Sequence, residues 1–287
     1  MLPNPLPQSD AYANTLRALG TRVRTDAIGH QGRCLIQTRH IPLIGPVNLI
    51  SRGPVGLAAA DEAAYLHSLD LRGPLIVNTN SPETPTDGLI RLSRPKSVAL
   101  LPLCEPRRMR KTLHPSWRGA LNKAEKGDLR ITNTAYHPTH HAWLIQAERA
   151  QQKSQGYRNW PIRLLDTFAR ENPGQARVIT AQNSDGPIAG MLILCHRPWS
   201  TYHIAVTTKA GRAANAHTLM LWKTMIWLQA RGYSTLDLGL LTGPDGLDRF
   251  KLRTGAHRHH LGGTWLRLLP AFRRQFPSIQ MPSGQKA

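Results

Sequence analysis

The segment 219–239, LMLWKTMIWLQARGYSTLDLG, contains a long apolar run that leads at once into a short strand signal. We predict a helix over 213–231 that ends at Gly232, because glycine is favoured just after the last turn of a helix. Residues 235–238 then match a short buried strand. A long helix that is followed directly by a strand is typical of α/β folds.

Three strands and two helices are predicted ahead of this helix. The strands cover 177–181, 188–196 and 201–206, and Asn-Ser-Asp-Gly at 183–186 is typical of a hairpin turn between the first two. The helices cover 139–152 and 160–170.

The first half alternates in the same manner, with helices at 10–19 and 57–69 and with strands at 33–38, 75–78, 87–92 and 98–103. We therefore predict two mixed α/β domains, 1–125 and 126–287.

Basic residues exceed acidic ones by a wide margin. The chain of 287 residues has 37 Lys+Arg and 17 Asp+Glu, hence a formal net charge of +20, and 40% of its residues are hydrophobic. The apolar content is enough for a packed core and excludes a mainly disordered chain. The charge favours an anionic partner such as nucleic acid, a phosphorylated cofactor or an acidic membrane surface, although a general compositional bias would also produce it. Eight bases against two acids lie in the segment 107–130.

Several classes of protein are excluded by pattern. No run approaches the roughly 20 apolar residues that span a bilayer, and the first residues do not resemble a signal peptide. Cys34, Cys104 and Cys195 lack CxxC spacing, and the histidine groups at 137–141 and 257–260 lack the HExxH arrangement, so no metal is expected. We expect a cytoplasmic protein, with contact to the inner face of the membrane as an open alternative.

Motifs along the whole chain resemble one known family. The long helix ends at Gly232, a strand with Leu236 and Asp237 comes next, and the segment 246–255, GLDRFKLRTG, follows. The first half of the chain adds three shorter motifs: QS at 8–9, RGPV at 52–55 and WR…KAE over 117–125. These residues resemble the FemAB/FemX branch of the GNAT acyltransferase superfamily. The resemblance implies an α/β (α+β) fold of two tandem GNAT-like domains, with the donor-binding loop and the motif 246–255 in the second.

The resemblance also implies an activity. Members transfer an amino acid from charged tRNA to an amino group, and relatives use acyl-CoA or acyl-carrier donors. We therefore predict an N-acyltransferase that forms an amide on a small-molecule or peptide amine, without a permanently bound cofactor. Aminoacyl-tRNA is the favoured donor and acyl-CoA the alternative. Ser93 stands where the family has an acidic residue near the acceptor, so a peptidoglycan precursor is not implied. A non-catalytic protein that binds nucleic acid or an anionic surface is the second alternative.

Three residues are the catalytic candidates. Lys251 occupies the position where the family has a functional lysine, and its ammonium could stabilise an oxyanion or a phosphate. Asp237 lies on an apolar strand, where a buried carboxylate needs a partner. His203 could accept the proton of the amine, because the usual pKa of histidine is near neutral.

The loop 209–217, KAGRAANAH, enters the long helix and is the predicted seat of the donor's phosphates, since helix N-termini present free N–H groups. The donor-binding candidates are Lys209, Gly211, Arg212, Asn215 and Phe250. The candidates for binding the acceptor or another anion are Arg52, Trp117, Arg118, Tyr157 and Tyr202.

Overall fold

The computed structural model describes residues 3–84, 86–243 and 246–268. After a short 3-10 turn at Leu6–Gln8, the helices are α1 Asp10–Ala18, α2 Ala59–Ser68, α3 Pro106–Thr112, α4 Pro115–Glu125, α5 Ala142–Gln155, α6 Ile162–Glu171, α7 Lys209–Ala213, α8 Ala216–Gln229 and α9 Gly246–Leu252. The strands are β1 Arg22–Ile28, β2 Gly32–Ile41, β3 Gly45–Ser51, β4 Leu75–Thr79, β5 Ile90–Ser93, β6 Ser97–Pro102, β7 Arg130–Ala135, β8 Ala176–Asn183, β9 Gly186–His196, β10 Trp199–Thr207, β11 Thr235–Leu241, β12 His257–His260 and β13 Gly263–Arg267.

These elements form two compact units. The first unit joins Pro3–Leu19 to Ser97–His259, and the second consists of Gly20–Lys96 and the described residues from 260 onward. This division differs from the predicted boundary at residue 125. The reason is that β6 is hydrogen-bonded into the sheet of the first unit, between β12 and β11, and that α4 packs against α8. The sequence pattern shows that β6 and α4 are amphipathic or buried. It does not specify which sheet β6 joins or which helix α4 packs against.

The first unit is built on a seven-stranded mixed sheet with the order β12-β6-β11-β10-β9-β8-β7. Its two faces are covered by different helices, because side chains alternate across a strand. On β9, Met191 and Ile193 pack in a core with α4 and α8, whereas Leu192 and Leu194 pack in a second core with α5 and α6. The predicted hairpin between β8 and β9 is confirmed, with Asn183 paired to Gly186.

The long helix predicted over 213–231 is two helices in the structure. Asn215 has a φ of +52°, which breaks the helical path, so that α7 ends at Ala213 and α8 begins at Ala216. α8 buries residues around most of its circumference, among them Leu219, Trp222 and Met225. A helix that is apolar around most of its circumference belongs in the interior, and α8, on which Lys223 is exposed, packs in the core of the first unit.

The second unit contains a six-stranded sheet with the order β1-β2-β3-β4-β13-β5. Its core includes Ile36, Ile50 and Val77. β1 has no counterpart among the predicted strands, because its sequence RVRTDAI is charged and it forms an exposed edge. The predicted last strand 264–269 corresponds to β13, and residue 269 lies outside the described residues.

Two structural features bear on the excluded classes. Within the described ranges, no helix has both the length and the apolar character needed to cross a membrane. Cys34, Cys104 and Cys195 form no disulfide.

Candidate active site

The parallel strands β10 and β11 separate partway along their length. They pair only between 199–201 and 235–237, while β10 continues to Thr207 and β11 to Leu241. Register irregularities mark the separation on both strands, between Tyr202 and Ile204 on β10 and between Asp237 and Leu240 on β11. The strands therefore part at their carboxyl ends, which is where open α/β sheets bind ligands.

Lys251 and Asp237 are tied to the same stretch of β11 at this open end. Lys251 is 7% exposed, and its Nζ donates a hydrogen bond to the carbonyl oxygen of Leu240 at 2.7 Å. Asp237 is 2% exposed, and its Oδ1 accepts the backbone N–H of Gly239 at 2.8 Å. The Asp237 carboxylate thus shapes the irregular part of β11 that contains Leu240, and the Lys251 ammonium is bonded to the carbonyl of Leu240. Two of the three catalytic candidates therefore contact the same stretch of chain.

The predicted donor loop folds as α7 and the first turn of α8. Lys209 and Arg212 are exposed there, and Asn215 takes the left-handed conformation that separates the two helices. The N–H groups of residues 216–218 have no hydrogen-bond acceptor among the described residues. Free N–H groups beside exposed cations make this helix start suitable for a phosphate group.

Gly211 is buried where α7 meets β9. The hydroxyl of Thr208 accepts the N–H of Gly211 at 3.1 Å and donates to the carbonyl oxygen of Ile188 at 3.0 Å. A Cβ added at Gly211 would lie 2.5 Å from that same carbonyl oxygen. The position therefore requires glycine so that the loop can approach the strand this closely.

We expect Gly211→Ala to destabilise the fold by about 1–3 kcal/mol, because the added methyl overpacks a backbone contact that cannot yield. The measurement is the free energy of unfolding in denaturant. Gly119→Ala is the matched control: Gly119 lies in α4 with open space around its Cβ position, so alanine should stabilise the protein slightly. A Gly211→Ala protein as stable as the wild type would contradict the close packing described here.

A pocket of about 440 Å³ opens beside β10 on the side of α5 and α6. His203 and Trp160 form its aromatic wall, with ring centroids 4.6 Å apart, and Leu165 contributes aliphatic surface. Burial lowers the pKa of His203 to about 4, so the imidazole is uncharged at neutral pH. The uncharged imidazole lines the pocket, and the role of His203 as proton acceptor stays a prediction.

Glu148 supplies a buried carboxylate to this pocket. It is 4% exposed and accepts hydrogen bonds from the hydroxyl of Tyr157 at 2.9 Å, from Nδ2 of Asn159 at 2.9 Å and from Nε2 of Gln152 at 3.2 Å. Burial, together with the bond to Glu148, raises the pKa of Tyr157 to about 12, which keeps the hydroxyl protonated as a donor. The carboxylate is thus held by neutral donors inside a pocket.

Glu148 was not among the predicted site residues, whereas its partner Tyr157 was. The available signal was an acid four residues after Leu144, on the buried face of α5, where only apolar residues are expected. Arg149 and Arg158 also line the pocket, and both are exposed.

Trp117 and Phe250 pack against each other, with ring centroids 6.1 Å apart. Trp117 is 4% exposed in the core of the first unit, and its indole N–H has no acceptor among the described residues. A ring buried in this way cannot stack on a ligand, so its position does not support the predicted contact with an anion.

Arg118, the neighbour of Trp117 on α4, is half-buried. Tyr202 is half-buried against the same core, and burial raises its pKa.

The remaining predicted residue, Arg52, belongs to the second unit. It has a φ of +52°, and its Nε donates to Oδ1 of Asn80 at 3.4 Å. Its predicted contact with an acceptor or another anion stays a prediction.

Exposed cations follow one another along α3 and α4. Arg110 is held by Glu125, with a shortest separation of 2.7 Å, and the hydrogen bond from this guanidinium lowers the pKa of the Glu125 carboxyl. The other cations of these helices are mostly exposed: Arg107, Arg108, Lys111 and Lys123, with Lys126 directly after α4. We call these five residues the basic helix surface. The acids Glu105 and Asp128 are also exposed along this stretch, so its charge is net positive and not of one sign, which still suits a polyanion.

Comparison with known proteins agrees with this architecture. FemX covers 96% of this chain and 94% of its own, with a TM-score of 0.77 and 14% identity. A C-terminal domain named for lysylphosphatidylglycerol synthetase, from Agrobacterium fabrum, covers 91% of this chain and 87% of its own, with a TM-score of 0.58 and 15% identity. A tandem GNAT protein from the clavulanic acid biosynthesis pathway covers 92% and 89%, with a TM-score of 0.51 and 11% identity. No curated protein sequence gives a significant match.

The predicted fold, two tandem GNAT-like domains of the FemX type, is confirmed by these similarities. The family model described as an acetyltransferase (GNAT) domain matches residues 107–252, from the basic helix surface to α9. Family and fold together support an N-acyltransferase. Because the match spans just over half of the chain and includes both Asp237 and Lys251, this protein belongs to the acetyltransferase (GNAT) domain family.

Proposed function

We propose that this protein forms an amide by transferring an aminoacyl or acyl group from a phosphate-bearing donor to an amine, with aminoacyl-tRNA as the favoured donor. The observation that carries the proposal is the position of Lys251, a buried ammonium bonded to the carbonyl of Leu240 at the open end of the β10–β11 pair. A buried cation at the place where an open sheet receives ligands is suited to stabilising developing negative charge.

The proposed reaction is direct attack of the amine nitrogen on the acyl carbonyl carbon. The carbonyl oxygen becomes an oxyanion, which Lys251 stabilises. Collapse of the tetrahedral intermediate breaks the bond to the donor's ester oxygen or thioester sulfur, and the proton that the nitrogen loses passes to that leaving group. In this scheme Asp237 is a positioning residue, because its bond to Gly239 shapes the turn that carries Leu240. The uncharged ring of His203 lines the pocket beside β10.

The donor's phosphates are proposed to lie at the start of α8, near Lys209 and Arg212. Aminoacyl-tRNA is favoured over acyl-CoA because the basic helix surface adds five exposed cations, more than a small cofactor needs, and because polyanion binding scales with the number of phosphates contacted. Acyl-CoA remains the alternative. The description of the family as an acetyltransferase domain favours it. In either case the co-substrates are those of the cytoplasm, where we place the reaction.

The acceptor is proposed to bind in the Glu148 pocket, as a small-molecule or peptide amine. Among the described residues, the hydrogen-bond partners of this carboxylate are three neutral donors, so an ammonium group of the acceptor could pair with its charge. The exposed Arg149 and Arg158 could hold an acidic group of the same molecule.

A transfer assay with both donor pools separates the alternatives. Charged tRNA and acyl-CoA are offered in parallel to a panel of amino acids, diamines and short peptides, and amide products are detected by mass spectrometry. We expect product from charged tRNA that ribonuclease abolishes. Product that is insensitive to ribonuclease and accompanied by release of free CoA thiol would select acyl-CoA instead. Binding of RNA without transfer from either pool would select the non-catalytic alternative.

A further inference from the structure

The turn between β2 and β3 exposes a cluster of large aliphatic side chains. Ile41 is 39% exposed and Ile44 is 47% exposed, while Leu43 is fully exposed. Elsewhere in the described part of the chain, large hydrophobic side chains with this exposure occur one at a time, on β5, β11 and α9. Single exposed aliphatic residues are ordinary, whereas a contiguous group at one protruding turn indicates an interaction surface.

Leu43 also has a backbone conformation that leucine disfavours. Its φ is +68°, it follows Pro42, and the N–H of Ile44 closes the turn by donating to the carbonyl of Ile41 at 3.1 Å. A proline followed by a positive φ is the pattern of a type II turn, in which glycine or asparagine is favoured at this position. Neither the local conformation nor burial within the unit accounts for a leucine here, and an outlier of this kind points to function.

The surroundings of the turn are cationic. The segment 38–48 has no acidic residue, and Arg39 is exposed on β2 close to the turn. Arg72 is exposed at the same end of the sheet, where its carbonyl accepts Nδ2 of Asn48 at 2.8 Å. One exposed acid, Asp70, lies two residues before Arg72.

We propose that the tip of the β2–β3 hairpin inserts into the surface of an anionic lipid bilayer. A convex tip with three aliphatic side chains fits a fluid hydrocarbon boundary, which needs no matching pocket, whereas a protein partner would need one. Flanking cations and the net charge of +20 add attraction to anionic headgroups. This inference does not rest on the proposed transfer reaction, because the hairpin lies in the second unit and includes none of the residues assigned to that reaction.

Vesicle flotation tests the proposal with the full-length protein. We expect it to float with vesicles of phosphatidylcholine and phosphatidylglycerol at about 0.1 M salt and to stay unbound with phosphatidylcholine alone. Leu43→Gly is the informative variant, because glycine suits the positive φ and should leave the melting temperature unchanged or raise it. It should nevertheless weaken vesicle binding about tenfold by removing the most exposed aliphatic group. The control Leu92→Thr removes a leucine that is 51% exposed on β5, away from the turn, and should bind as the wild type does.

Three results would overturn the proposal. The first is a wild-type protein that floats with neither vesicle, and the second is a Leu43→Gly protein that floats with anionic vesicles as well as the wild type, which would leave charge alone as the cause. The third is a change of oligomeric state in Leu43→Gly without lipid, at unchanged vesicle binding. That result would assign the tip to contact between copies of the chain.

Discussion

Lys251→Met is expected to lower turnover by about 10²–10³-fold, the usual effect of removing one donor to a developing oxyanion. Methionine keeps most of the apolar stem of Lys251, so packing within α9 should persist. The substitution leaves the carbonyl of Leu240 without the ammonium that donates to it at 2.7 Å. We therefore also expect a loss of stability of about 1–3 kcal/mol. Turnover must accordingly be measured per folded molecule, at a temperature well below the melting transition of the variant.

Lys223→Met is the matched control for this change. Lys223 is an exposed lysine on α8, outside the open end of the β10–β11 pair, and its loss should leave turnover unchanged. A folded Lys251→Met protein with wild-type turnover would reject the assigned role. Loss of cooperative unfolding in this variant would show that the residue is chiefly structural.

Glu148→Gln is expected to raise the KM for the amine about 10- to 150-fold, the equivalent of roughly 1.5–3 kcal/mol for one hydrogen bond to a charged group. The amide has nearly the shape of the carboxylate but lacks its charge. Its NH₂ group would also face the side chains that now donate to Glu148, which are those of Tyr157, Asn159 and Gln152. Steady-state kinetics at saturating donor, with the amine varied, is the measurement.

The control for Glu148 is Glu171→Gln. Glu171 is paired with Arg170 at 2.8 Å at the protein surface, and such pairs contribute about 0–1 kcal/mol. The substitution should leave both KM and stability nearly unchanged. An unchanged KM in folded Glu148→Gln would show that the acceptor binds elsewhere. A change confined to the KM for the donor would instead make this pocket part of the donor site.

Part of the candidate site could be predicted from local sequence. Lys251, Asp237 and the loop 209–217 belong to motifs whose order follows the chain, so the resemblance located them without knowledge of packing. Glu148 was missed because its importance comes from burial and from donors that other parts of the chain supply. Trp117 shows the opposite case: it lies among basic residues in the sequence, yet its ring turns into the core.

Most of the helices and strands in their order, the hairpin at 183–186, the family resemblance and the large positive charge follow from the sequence alone, because periodicity, turn residues and composition are local properties of a chain. Packing of the folded chain was needed to show that β6 and α4 belong with the second half, that β10 and β11 part beyond residue 237, and that Glu148 gathers three donors. It also revealed Leu43 at a protruding turn with positive φ. These properties depend on contacts between distant segments and on solvent exposure, which are fixed only when the whole chain has packed.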